Sequence, residues 1–178
     1  MNKTITVLIF FISVAMLPAQ ENSGISVNTG CDIVSSYNWR SIDFGNSPAL
    51  QPYIGVGGYG LEFTVWGSYA FIANETINEK KVPFTEVDLI LKYSYELPAG
   101  SIYTELVDFY YPFLGKKFSD FSGVENNMSV GAHWINLAVG YKGGESFPVS
   151  LKFDYGLHND ADYNIYFEIG YAASVGST

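Results

Sequence analysis

Residues 85–97 read TEVDLILKYSYEL. Val87, Leu89, Leu91, Tyr93, Tyr95 and Leu97 share one parity, Glu86, Asp88, Lys92, Ser94 and Glu96 the other, and only Ile90 breaks the pattern. Successive side chains leave a strand on opposite sides, so this alternation specifies a β-strand with unlike faces. A helix cannot carry it. Beyond the N-terminal segment no run approaches the ~20 apolar residues that a membrane-spanning helix requires. The apolar face of such a strand must meet either a protein core or lipid.

The same alternation predicts eight strands, near 25–40, 49–57, 61–70, 85–97, 101–111, 130–141, 147–156 and 164–173. On one face stand Val27, Cys31, Ile33, Tyr37 and Trp39, then Leu50, Ile54 and Val56, then Leu61, Phe63, Val65 and Tyr69. Further along, that face carries Ile135, Leu137, Val139 and Tyr141, then Leu151, Phe153 and Tyr155, then Ile165, Phe167, Ile169 and Tyr171. Parity is ambiguous only near 101–111, where Ile102 and Leu106 oppose Tyr103, Val107 and Phe109. Short turns (GGYG, PAG, KGGES) alternate with longer polar connections at 44–49, 71–84, 112–127 and 157–163. A transmembrane barrel sorts its connections this way, with brief periplasmic turns and larger outer loops.

Charged residues make up only 15% of the chain and aromatics 17%, a balance suited to a lipid-facing wall. Trp39, Tyr69, Tyr111 and Tyr155 fall at one end of the expected strands and Tyr95, Tyr141 and Tyr171 at the other, as interfacial girdles do. The expectation is an all-β fold, an antiparallel transmembrane β-barrel with about eight strands present. A β-sandwich with a large core is the alternative.

The N-terminus, MNKTITVLIFFISVAMLPAQ, places Lys3 before an apolar run from Val7 to Leu17 and the small residue Ala19 before Gln20. It reads as a secretory signal peptide over residues 1–19, leaving a barrel domain over 20–178. Cys31 is the only cysteine, so no internal disulfide forms, and its parity makes it a small apolar packing residue. Loss of Lys3 leaves 8 basic against 18 acidic residues, a balance that excludes nucleic acid as a partner.

Candidate chemistry is sparse. GVGGYG (55–60) has the letters of a dinucleotide loop, but the strand-like LEFTVWGSY follows where a helix is required, so it is a hairpin turn. His133, at the end of a strand on the lipid-facing parity, and His158, in a loop, have no serine at same-face spacing. HNDADY (158–163) lacks the ligand set and turn glycine of a calcium loop. No catalytic residue, cofactor or metal ligand is therefore expected. The inward parity gathers the one dense polar set: Asp32, Arg40, Glu62, Glu86, Asp88, Lys92, Lys152, Asp154 and Glu168. They are candidates to line a lumen that selects ions, or to fill it with ion pairs as small barrels do.

Ser35, Tyr37, Trp39 and Arg40, followed by Pro48 and Gln51, resemble a signature of the TorF-like porin family, Gram-negative outer-membrane barrels without an assigned substrate. FTVWGSYAF (63–71), EVDLILKYSY (86–95) and DFYYP (108–112) resemble its further signatures, in order along the chain. Ser41 departs from the glycine usual there, and the chain ends at SVGST without the terminal aromatic of such barrels, as if lacking its final strands. The resemblance implies a porin-like protein of the outer membrane, a passive channel for small solutes or ions. Its partners would be outer-membrane lipids and the barrel-assembly machinery. A closed structural or adhesive barrel, whose loops 71–84 and 112–127 bind a partner, is the second reading; a lipid-modifying barrel enzyme is the third.

Overall fold

The computed structural model describes residues 24–172, so the expected signal peptide lies outside the described residues. β1 (Ser26–Val34) leads into a small hairpin, β2 (Tyr37–Trp39) and β3 (Ile42–Phe44), before β4 (Ala49–Gly58) and β5 (Leu61–Ala70). A second small hairpin, β6 (Glu75–Ile77) and β7 (Lys80–Val82), precedes β8 (Thr85–Leu97) and β9 (Gly100–Tyr110). One turn of 3-10 helix at Pro112–Leu114 and a third hairpin, β10 (Val124–Glu125) and β11 (Met128–Ser129), lead to β12 (His133–Gly143), β13 (Val149–His158) and β14 (Ile165–Tyr171).

Eight of these strands form one antiparallel meander, in the order β1-β4-β5-β8-β9-β12-β13-β14. Of the expected antiparallel barrel, the described residues show an eight-stranded sheet with β1 and β14 at its edges and no closed cylinder. The three short turns (β4–β5, β8–β9, β12–β13) lie at one end and the four long connections at the other. Three of those long connections carry a hairpin of their own.

Cross-strand register assigns every residue to a face. Glu62 pairs with Lys92 and Lys92 with Glu105, while Val65 pairs with Leu89 and Leu89 with Asp108. One face therefore carries Asp32, Glu62, Glu86, Asp88, Lys92, Glu105, Lys152, Asp154 and Glu168, and the other the aliphatic and tyrosine rows. The ambiguous strand resolves the same way. In β9, Tyr103, Glu105, Val107 and Phe109 join the polar face, while Ile102, Leu106 and Asp108 join the apolar one. Near the long-loop end of β13, Leu157 is squeezed out as a bulge, since Ile135 pairs with His158 and Asn136 with Gly156. In β4 the ladder to β5 skips Gln51 and Pro52, the second of which has no N–H to give.

The apolar face is not a core. Ile33, Ile54, Phe63, Val139, Phe167 and Ile169 on it are all exposed, Ile169 by 69%. Cys31 is exposed with them, not buried as a packing residue would be. Burial is instead concentrated on the polar face at the long-loop end, around Phe84, Val107, Phe109 and the small residues Ala49, Ala70 and Ala138.

Two expectations are corrected. The first strand does not run to residue 40 but stops at Val34, and the chain turns back as β2–β3. Trp39 and Tyr37 consequently leave the lipid-facing row: Trp39 packs on Phe109 at 5.6 Å and Tyr37 on Trp66 at 5.4 Å, both on the polar face. Tyr111 also leaves the girdle, having the parity of Phe109 and packing on Trp134 at 5.1 Å. The reversal is a two-residue turn with Arg40 at φ 49° and Ser41 at φ 67°, the left-handed pair of a type I′ hairpin. Gly45, at φ 80°, follows, and a Cβ there would meet Phe84 Cβ at 2.9 Å. Glycine is required on both counts.

Ser41 occupies a left-handed position that costs an L-residue about 1 kcal/mol. Ser41→Gly should therefore raise stability by up to ~1 kcal/mol, and Ser41→Val should lower it, read as opposite shifts of the urea unfolding midpoint.

Candidate functional site

The β2–β3 hairpin lies across the polar face and organises the site. Tyr37 packs on Phe44 at 5.3 Å, Phe44 on Phe84 at 5.2 Å and Phe84 on Phe113 at 4.9 Å. Each such ring pair is worth about 0.5–1.5 kcal/mol beyond the area it buries. At the tip, the Arg40 guanidinium lies 4.1 Å from the Trp39 ring centroid and 3.9 Å from that of Tyr166. Its Nη2 is 3.0 Å from Asp154 Oδ2, and Asn136 Nδ2 donates to Asp154 Oδ1 at 2.8 Å. Asp154 is 3% exposed. Both its oxygens are thus answered, one by a charge and one by an amide.

The other inward bases are engaged too. Lys152 Nζ donates to Glu105 Oε1 at 3.0 Å, and Lys92 Nζ sits 4.7 Å from the Tyr103 ring. Glu62 accepts from Thr64 Oγ1 at 3.4 Å, and Glu168 accepts from the Tyr166 hydroxyl at 3.0 Å. Asp32 and Glu168 lie exposed on the edge strands β1 and β14.

Glu86 and Asp88 differ from all of these. They are 3% and 6% exposed, neighbours along the inner row of β8, and among the described residues no lysine or arginine forms an ion pair with either. Glu86 lies within reach of Asp88 and of the Tyr37 and Tyr111 hydroxyls. Its Oε2, like Oδ1 of Asp88, has no well-aligned hydrogen-bond partner. Burial, and after it the adjoining carboxylates, push the Tyr37 and Tyr111 phenols well above their ordinary range, so both remain donors.

The structure brings Arg40 and Asp154 together, sets Glu86 beside Asp88, and spreads Glu62, Lys92 and Lys152 along the face toward the short turns. Sequence reasoning missed three contributors. Glu105 was hidden by the ambiguous parity of β9, and Tyr37 and Tyr111 by the belief that they faced outward. The one available signal for Tyr37 was Ser35–Ser36, two turn-favouring residues interrupting the alternation. A cleft of about 430 Å³ remains beside the hairpin, lined among others by Trp39, Arg40, Tyr111, Trp134, Asn136 and Tyr166.

Both histidines are structural neighbours of the long loops. His133 is 0% exposed, with Nδ1 2.9 Å from Asp108 Oδ1 and Nε2 2.6 Å from the Phe118 carbonyl oxygen. Two members of a hydrolase triad are thus adjacent, but a backbone carbonyl takes the place of the nucleophile. In the 158–163 loop, Asp160 accepts from the backbone N–H of Asp162 and Asn164 and from Asn164 Nδ2, holding the turn. Among the described residues no three His, Cys, Asp or Glu side chains converge as a metal site would.

Removing Arg40 strands a buried carboxylate. Arg40→Ala should cost about 3–5 kcal/mol, whereas adding Asp154→Asn should recover part of that loss. A double-mutant cycle on urea unfolding measures the coupling.

Comparison with family models, with curated proteins and with solved structures returned no match to this chain.

Proposed function

We propose that the sheet is the wall of an outer-membrane β-barrel of porin type, a passive path for ions or small solutes. One observation carries this reading: a polar inner face backs onto an apolar outer face that is half-exposed on the central strands and fully exposed toward the edge strands, as at Ile33 on β1 and Ile169 on β14. Water-soluble monomers rarely expose apolar patches beyond a few hundred Å², and hydrocarbon is the solvent such a face suits. The sorting of loops by end, and the outward tyrosines Tyr95, Tyr141 and Tyr171 at the short-turn end, support it. The resemblance to the TorF-like porins agrees with it.

In a bilayer the free backbone groups of β1 and β14 need partners. An eight-stranded barrel has an interior just wide enough for side chains, yet this one also accommodates the β2–β3 hairpin. The proposed barrel is therefore wider than eight strands.

A second reading, a closed structural or adhesive barrel, is favoured by a separate observation. The hairpin and its aromatic partners pack the long-loop end, and Arg40–Asp154 and Lys152–Glu105 are pairs rather than free charges. The lipid-modifying enzyme finds less support, since His133 is enclosed and faces a carbonyl.

Conductance in planar bilayers tests the channel. Under it, carboxylates outnumber bases on the inner face, so the open protein should prefer cations. Glu62→Gln with Glu168→Gln, at inner positions less buried than Glu86 and Asp88, should shift the reversal potential in a salt gradient toward anions, and it should spare folding because neither forms an ion pair among the described residues. Absence of current in the unmodified protein would favour the closed reading, and anion preference would refute the charge argument.

The outer face has its own test. Leu89→Arg or Leu137→Arg places a charge at mid-membrane at a cost of about 2–4 kcal/mol, while Ser94→Arg faces inward. The first two should abolish heat-modifiable gel mobility in outer-membrane fractions and the third should retain it. Equal tolerance at both parities would refute the membrane assignment.

A further inference from the structure

We propose that Asp108 and His133 form a pH-sensitive latch that clamps the Phe118–Phe121 part of the 111–132 connection to the outer face of the sheet at its long-loop end. Both residues have outer parity, His133 pairing with Tyr110 and Asp108 with Ile135. The ring of His133 joins strand to loop. Its Nδ1 lies 2.9 Å and 3.0 Å from the two Asp108 oxygens, and its Nε2 lies 2.6 Å from the carbonyl oxygen of Phe118.

Neither of those partners can donate: an ionised carboxylate and a backbone carbonyl are acceptors only. Each ring nitrogen must then carry a hydrogen, which makes the ring an imidazolium. Neutral imidazole has a single N–H, so loss of the proton leaves one of the two contacts as lone pair against lone pair.

The surroundings suit a cation. Phe121 stacks on the ring at 3.9 Å and Tyr110 at 4.9 Å, while Phe118 meets it edge-on at 5.1 Å. Two of these three rings belong to the connection, so the charge and the loop are held by the same contacts.

Other charged groups face the latch from each packed element. Tyr110 on β9 donates its hydroxyl to the Lys116 carbonyl oxygen at 3.1 Å, and Lys116 Nζ reaches the Gly131 carbonyl oxygen at 3.5 Å. Asp120 of the connection, held below the usual carboxylate range by hydrogen bonds from Ser122, attracts both Lys116 and His133. His158 on β13 approaches Gly123. A further anchor does not titrate: Asn159 Oδ1 accepts from the backbone N–H of Val130 at 2.9 Å.

The sign follows. The latch is closed while Asp108 is ionised and His133 is protonated. It opens as pH rises through the titration of His133, and again when pH falls far enough to protonate Asp108. Opening frees Phe118 and Phe121 from the outer wall, leaving the Asn159 anchor to hold the far end of the connection. None of this depends on whether the barrel conducts.

Hydrogen exchange of the full chain folded in detergent micelles tests the latch, with protection of residues 112–131 followed from pH 5 to pH 9 and corrected for intrinsic exchange. Loss of a charge-assisted hydrogen bond predicts a fall in protection of about tenfold or more across the titration, with β8 unchanged as the internal control. His133→Gln should show the low level at every pH, because its amide cannot donate to both sides at once. Protection that stays flat in the unmodified protein, or His133→Gln matching it at pH 5, would overturn the proposal. Should His133→Gln fail to fold, imidazole nitrogen resonances of the unmodified protein decide: two protonated nitrogens at pH 5 support the latch, and a neutral ring there refutes it.

Discussion

Arg40 ties together parts of the sheet that would otherwise be far apart. From the tip of a three-residue hairpin arm its guanidinium reaches Asp154 on β13 and the Tyr166 ring on β14, while Tyr37 at the base of that arm touches Trp66 on β5. In a flat sheet β5 and β14 would lie about 24 Å apart at ordinary strand spacing. The sheet must therefore curl around the hairpin, and the side carrying the charges becomes the concave one. With the polar side fixed as interior, the position of every other residue follows from its parity.

That curl also accounts for the unequal treatment of the inward charges. Near the long-loop end the hairpin covers the face, so Asp154 is buried and needs both Arg40 and Asn136, and Glu86 and Asp88 are enclosed among phenols with no base. Toward the short turns, beyond the hairpin, the inner charges Glu62, Lys92, Glu105 and Lys152 are only half-buried. There Lys92 sits between Glu62 and Glu105 in the register, partly exposed, as charges in a wet passage would be. A path narrow at one end and charged along its length is what the porin reading needs, and the same packing at the narrow end is what gives the closed reading its weight.

The long connections divide between the two faces. The first folds inward as the β2–β3 hairpin, whereas part of the third folds outward and encloses His133 against β9 and β12. Aromatic rings hold a basic side chain in both places: Trp39 and Tyr166 lie against the Arg40 guanidinium, and Phe121 and Tyr110 stack on the His133 ring. In a chain with so few charges, ring faces supply much of what surrounds the buried bases.

Alternation along the chain determined the eight strands of the sheet and, in six of them, which residues share a face, because the side-chain period of a strand is two whatever the strand packs against. It also determined which ends carry short turns. It could not determine where alternation is a coincidence of composition: Tyr37 and Trp39 keep the apolar parity of β1, yet β1 ends at Val34 and the break at Ser35–Ser36 sends them to the opposite side. Nor could it resolve β9, where apolar residues occupy both parities and only pairing with Leu91 and Leu137 assigns Leu106 outward and so Val107 inward. Asp108 and His133 are 25 positions apart and meet only because β9 and β12 are neighbours in the sheet. Period and turn chemistry are local and can be read in one strand. Which cation meets which carboxylate depends on curvature and register, which exist only once the strands are side by side.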